Sequence, residues 1–189
     1  KFKELSNSNL SKGKTTNYRE DPVYIDPRNE KLGAKIVSKL ENIHLTIKKL
    51  NLTIADKKKY YIKSFELGIP QIELNKFKDK IFGIENNLDE LNGIDFKKGC
   101  YIGQENTSRI KLRSKLKRRL LPLKLIKGKI SENEIIKFKN FEVGRILIDQ
   151  PHPFAIVKLK DPDINEFLNE NLECGSGTIK IFAPKWLQL

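Results

Sequence analysis

Methionine is absent from these 189 residues, cysteine and histidine occur twice each, and tryptophan occurs once. A gene product opens on Met, so Lys1 is expected to follow further residues, and any targeting peptide would lie among them. Cys100 and Cys174 stand far apart with no CxxC pair. That usage is foreign to a disulfide-stapled secreted scaffold and points to a reducing, intracellular compartment. His44 and His152 are isolated, so no metal ligand set is expected. No stretch approaches the roughly 18 consecutive apolar residues of a membrane-spanning helix, so no membrane partner is expected. Gly175-Ser176-Gly177 lacks the Lys-Ser/Thr that would make it a phosphate loop. No Ser-His-Asp arrangement can be argued either.

What is present is enough apolar residue, 38%, to bury a core of one or two domains, beside 32% charged residues and a formal charge of +13. Abundant Lys, Ile and Asn would follow from an AT-rich genome, but codon bias spreads charge evenly, and here it is concentrated. From Lys97 to Lys129 there are twelve basic residues and one acid, Glu105, a net +11 in 33 residues that leaves +2 for the other 156. This pattern predicts a basic surface that meets a polyanion, with Lys97, Arg113, Arg118 and Arg119 facing it.

Along the chain, residues 1–20 read as a polar loop. Val23-Tyr24-Ile25 reads as a short strand that Pro27 ends. A second strand is expected over 32–37 with Gly33 as a bend, and 45–52 is compatible with helix or strand. The clearest helix spans about Lys57 to Leu67: Asp56 caps it, Tyr61 and Phe65 share a face, and Gly68 suits the position just past its end. From Leu120 onward Leu121, Leu123 and Leu125 alternate. Strand-like runs follow at 135–138, 143–148, 154–159 and 178–182, separated by proline and glycine turns. Short strands so punctuated predict a small antiparallel barrel or sandwich, with a boundary near 113–119.

Between the helix and the strands lies Lys97-Lys98-Gly99-Cys100-Tyr101-Ile102-Gly103-Gln104-Glu105, a turn with two glycines around a lone cysteine. Gly99 and Gly103 permit backbone angles closed to other residues and let a ligand approach. Residues 104–112 can continue as a short helix. Its positive end, with Lys97 and Lys98, would favour the thiolate of Cys100. A buried, inert cysteine is the competing reading, and the local sequence leaves both open.

The run Lys98 to Glu105, with Arg109 four residues on, resembles the K-G-C-[YF]-x-G-Q-E-x-x-x-R signature of the YgfZ family. That family includes mitochondrial iron–sulfur assembly factors and is related to the aminomethyltransferase (T-protein) of the glycine cleavage system. Asp26-Pro27-Arg28 with Leu32-Gly33, Glu66-Leu67-Gly68-Ile69-Pro70, Glu85-Asn86-Asn87-Leu88, Gly144 and Pro184-Lys185-Trp186 are similar to further stretches of that family. The chain departs from the commoner text at Gly83-Ile84, where a proline is frequent.

The resemblance implies an α+β fold. Residues 1–113 would be part of a T-protein-like folate-binding region and 114–189 a C-terminal antiparallel β-barrel. It implies tetrahydrofolate, or a derivative, as cofactor, with Glu85 at the position that holds the pterin edge. Cys100 would be the functional centre, Gly99, Tyr101, Gly103, Gln104 and Glu105 would shape its loop, and Lys98 and Arg109 would present positive charge. The implied function is maturation of [4Fe–4S] enzymes, with assembly machinery or client proteins as partners, in a bacterial cytoplasm or the mitochondrial matrix. Two cysteines do not supply the four thiolates of such a cluster. Competing functions are a folate-dependent aminomethyl transfer and binding of tRNA, although no aromatic-interleaved recognition pattern accompanies the basic stretch.

Overall fold

The computed structural model describes residues 13–99, 104–112 and 116–189, with the backbone alone of Gln104 and Asn106. The chain divides into two compact units, Lys1–Tyr60 and Tyr61–Leu189. In the first, strands β1 (Thr15–Tyr18), β2 (Asp21–Ile25) and β3 (Ala34–Ile36) form an antiparallel sheet in chain order. Arg19 and Glu20, at φ 51° and 71°, supply the two left-handed residues that a two-residue loop between right-twisted strands requires.

The strand expected over 32–37 begins later, because Leu32 closes a 3-10 turn, Glu30–Leu32. Asn29 caps that turn, its Oδ1 accepting the Lys31 N–H at 3.0 Å. Gly33, at φ 82° and ψ −166°, then turns the chain into β3 through a region almost reserved for glycine. The stretch left open at 45–52 belongs mostly to helix α1 (Leu40–Lys49), whose last turn carries Lys48 and Lys49 against the negative end of the helix dipole.

Asp26 explains the Asp-Pro-Arg text. Its carboxylate is fully buried, and Oδ1 accepts from both the backbone N–H and Nε of Arg28 at 3.0 Å. Oδ2 takes Arg28 Nη2 at 2.7 Å and Lys35 Nζ at 3.0 Å, and the same Nη2 donates to the Tyr60 hydroxyl at 3.1 Å. Burial alone would raise the carboxyl pKa, but the hydrogen bonds from Arg28 and Lys35 outweigh it and hold the group at about 2, below its ordinary 3.8. A depressed folded-state pKa stabilises the fold above the unfolded value and loses that contribution as pH falls. The expected result is a loss of about 2 kcal/mol between pH 4 and pH 2 that Asp26→Asn lacks. Urea titrations of both proteins across that window check it, and parallel pH dependences would refute it.

The second unit holds most of helix α2 (Lys57–Glu66), helix α3 (Gln104–Leu112) and six strands: β4 (Arg118–Lys127), β5 (Ile135–Phe138), β6 (Phe141–Ile148), β7 (Phe154–Lys158), β8 (Leu172–Cys174) and β9 (Gly177–Ile181). The strands close into an antiparallel barrel in the order β4-β7-β6-β5-β8-β9, so the choice between barrel and sandwich falls to the barrel. Strand β8 was not legible because three residues carry too little period. Within β4, Pro122 sits where the strand changes partner: 118–122 pair with β7, and 123–127 pair with β9. A residue without an N–H is tolerated at that junction.

The barrel interior is filled by Leu121, Leu123, Ile136, Val143, Ile146, Ala155, Val157, Phe167, Leu172, Ile179 and Ile181. A second cluster, Leu120, Leu147, Ile148, Phe154 and Ile156, lies on the opposite side of β4, β6 and β7, and is covered by Phe65, Phe77 and Ile81. These strands are thus buried on both faces over part of their length, which is why Leu120 to Leu123 read as an unbroken apolar run. Leu125, expected to alternate inward, is 38% exposed at the end of β4.

Asp56 caps α2 as expected, its Oδ1 accepting the Lys58 N–H at 2.8 Å. At the other end Gly68, at φ 69°, closes the helix with Gly68 N–H to Phe65 O at 2.7 Å and Ile69 N–H to Ser64 O at 2.9 Å. Pro184 and Trp186 dock there, the indole Nε1 donating to Leu67 O at 2.6 Å. The two family-like stretches around Gly68 and Pro184 therefore answer each other in space.

Candidate functional site

The site is built on the free edge of β4. Where β4 pairs with β7 on one side, its other edge exposes Leu120, and the segment 85–87 satisfies it. Leu120 N–H donates to Glu85 O at 2.8 Å, and Asn87 Nδ2 donates to Leu120 O at 2.8 Å. Asn87 takes φ 58°, a left-handed angle that asparagine tolerates, and its amide stands in for a neighbouring strand.

Side chains add to this seam. Arg118 grips Glu85 with Nε on Oε1 at 2.9 Å and Nη2 on Oε2 at 3.2 Å, and Oε2 also accepts the Phe82 N–H at 2.9 Å. Arg119 donates to Asn87 Oδ1 at 2.8 Å and pairs with Glu90 at 2.5 Å. The consecutive arginines thus meet Glu85 and Asn87, two residues apart, which gives the Glu-x-Asn text a structural reason.

Between this seam, α3 and β7 opens a cavity of about 890 Å³, lined by Phe82, Glu85, Ile110, Leu116, Lys117, Arg118, Lys158, Lys160 and Asp161. Phe82 is 51% exposed, an uncommon state for a phenylalanine, beside a buried acid and a wall of lysines. An apolar lining with a few convergent polar groups is what small-molecule sites present.

The residues expected to act divide unevenly over this geometry. Cys100, Tyr101, Gly103 and Arg113 lie outside the described residues, and of Gln104 only the backbone is described. The helix expected over 104–112 is present as α3. Lys97, Lys98 and Gly99 are exposed, and Asp95 Oδ1 accepts the Lys97 N–H at 2.8 Å. Glu105 and Arg109 pair with each other along α3, and Lys111 pairs with Asp89.

The stretch expected to meet a polyanion is therefore partly neutralised. Arg109, Lys111, Arg118 and Arg119 each have a carboxylate partner, three of them from 85–90. Arg119, placed by the sequence on the polyanion-facing surface, is only 12% exposed at its side chain. Lys117, Lys158 and Lys160 line the cavity without having been singled out. Their signal was the basic run for the first and nothing local for the other two.

Cys174 is fully buried in the barrel, 3.7 Å from Glu134 Oε2. Burial, then the Glu134 charge and hydrogen bond, push its thiol up to about 12. His152 stacks on Phe65 at 5.0 Å, and burial lowers its pKa. Among the described residues no group of His, Cys, Asp or Glu could hold a metal ion, and no helix is long and apolar enough to cross a membrane.

No family model matches the chain. It is similar, over 100 residues at 37% identity, to a Neurospora crassa protein named iron–sulfur cluster assembly factor IBA57 homolog, mitochondrial; the match covers 51% of this chain and 22% of that protein. The Dictyostelium discoideum homolog of the same name is 34% identical over 103 residues, covering 53% and 25%. The Mus musculus iron–sulfur cluster assembly factor IBA57, mitochondrial, is 31% identical over 100 residues, covering 53% and 27%. These relatives are iron–sulfur cluster assembly factors by name. The chain spans about a quarter of the length of the curated relatives it matches.

Proposed function

We propose that this chain is part of a YgfZ-type, folate-binding maturation factor for [4Fe–4S] enzymes, related in fold to the T-protein and acting in the mitochondrial matrix. One observation carries the reading: a cavity of about 890 Å³ walled by Glu85, Phe82 and basic side chains, in a chain similar to named assembly factors. The relatives' names favour mitochondria over a bacterial cytoplasm.

The residues present fit a folate. The volume suits a drug-sized ligand, Phe82 offers a ring face, and Lys117 and Lys160 suit its carboxylates. Glu85 already accepts three hydrogen bonds, and an ionised carboxylate has about four acceptor sites. One site is open to a pterin N–H, and accepting a second needs Arg118 to leave Oε2, its longer contact. Tetrahydrofolate, when bound, supplies a reduced pterin that carries one-carbon units. Glu85 orients it, and Cys100 serves as thiol donor or transient ligand to the cluster, which is cargo.

Two experiments test this. In cells lacking the factor, full-length protein restores [4Fe–4S] enzyme activity and Cys100→Ala does not; equal rescue by both removes Cys100 from the function. Cys174 is buried with its thiol pushed up to about 12, and iodoacetamide labelling of the native protein, read at the peptide that carries Cys100, reports that thiol. The labelling midpoint is expected below the ordinary value of about 8.5, and a midpoint at or above it would count against a reactive thiolate. A methylenetetrahydrofolate product from an aminomethyl carrier would favour the transferase reading instead. Pairing of four cations with acids weakens the case for tRNA.

A further inference from the structure

A second cavity of about 380 Å³ adjoins the first: Arg118 and Lys158 line both, and Lys80, Asn133, Glu142, Arg145 and Leu147 also line the second, which lies over β6. The barrel register makes this one charged track. Arg118 stands directly opposite Lys158 across β4 and β7. Arg145 stands opposite Ile156, two residues from Lys158 and therefore on the same face. Like charges set directly across a ladder are unfavourable. Among the described residues none of the ion pairs involves Lys117, Arg145, Lys158 or Lys160. Lys158 and Arg145 are thus neighbouring cations on one face with no ion pair among the described residues, beside Arg118, whose charge Glu85 already meets, an arrangement that an anionic ligand relieves.

We propose that this track across β4, β7 and β6 binds a linear oligocarboxylate, the γ-linked oligoglutamate tail of the folate whose pterin end occupies the larger cavity. The inference rests on the folate reading. Three neighbouring strands span only about 10 Å, room for two or three anionic groups and not for a nucleic-acid strand of useful length. No aromatic side chain lines the second cavity, so it offers no platform for stacking bases. Glu142 and Asp161 border the two cavities, which disfavours the doubly charged phosphate more than the singly charged carboxylate.

Isothermal titration of the full-length protein with 5-formyltetrahydrofolate, as monoglutamate and as pentaglutamate, tests this. The pentaglutamate is expected to bind about tenfold tighter, an advantage that shrinks with added salt. Arg145→Glu is expected to erase that advantage while leaving monoglutamate affinity unchanged, and Arg145→Gln is expected to reduce it. Equal affinity of the two folates overturns the track and leaves the folate reading standing. An advantage that survives Arg145→Glu overturns the location. Displacement of the pentaglutamate tail by tripolyphosphate or tRNA at lower concentration than by free γ-pentaglutamate overturns the choice of a carboxylate. Failure of both folates to bind overturns the folate reading and the track with it.

Discussion

Asn87→Leu is expected to lower the unfolding free energy by about 4 kcal/mol, although the site is small and remote from the barrel interior. Three terms add. Leu120 O loses the Asn87 Nδ2 donor, and Arg119 Nη1 loses its Asn87 Oδ1 acceptor, both buried or nearly so. Orphaned buried polar groups cost roughly 1–3 kcal/mol each. Leucine must also hold φ 58°, which an ordinary L-residue adopts at a cost of about 1–2 kcal/mol. Asn87→Asp separates the terms: it keeps an acceptor for Arg119 and loses the donor to Leu120 O, so an intermediate loss is expected. Urea titration of the three proteins checks the order. A loss under about 1 kcal/mol for leucine would mean that the seam between 85–87 and β4 contributes little. Because Glu85 rides on the same seam, Asn87→Leu is also expected to weaken whatever the cavity binds.

The second large effect belongs to Gly68→Ala, expected at about 3 kcal/mol. A Cβ there would lie 2.2 Å from Pro184 Cγ and 3.0 Å from Pro184 Cβ, and φ is 69°. Backbone strain and steric overlap therefore act together. The proline cannot be displaced alone, because Trp186 is held two residues on by its bond to Leu67 O. The substitution should release the C-terminal segment, and Trp186 is the sole tryptophan of the chain, so fluorescence reads the event directly. A red-shifted native emission together with lowered stability is expected. Unchanged emission would show that the segment stays docked. Trp186→Phe keeps an aromatic ring and loses the hydrogen bond, and about 1 kcal/mol is expected from the lost bond.

Much of the barrel was legible because the information is local. The runs at 135–138, 143–148, 154–159 and 178–182 alternate or cluster β-branched residues between prolines and glycines, and the strands fall within two residues of them. Helix α2 was legible for the same reason: Asp56 and Gly68 act on backbone groups within a few positions. Residues 32–37 mislead because Gly33 reads as a bend inside a strand, whereas Asn29 and Glu30–Leu32 make their own turn before it.

The candidate site was half legible. The sequence pointed to Glu85, Arg118 and Arg119 and gave the acid a ligand and the arginines a polyanion. The fold adds partners within the chain: Arg118 meets Glu85, and Arg119 meets Asn87 and Glu90. Charge read as a sum along the chain counts the basic run of 97–129 without the acids that fold back onto it.

By itself the sequence determined most of the barrel strands, both ends of α2, and that one stretch concentrates positive charge. Those are matters of backbone angle, side-chain period and nearest neighbours. Only the tertiary structure decided which charges cancel and which remain. Glu85 and Arg118 are 33 residues apart, and Lys158 lies opposite Arg118 only because an antiparallel register puts it there. Pairing of that kind depends on chain return, and no local pattern encodes the strand across which a side chain will find itself.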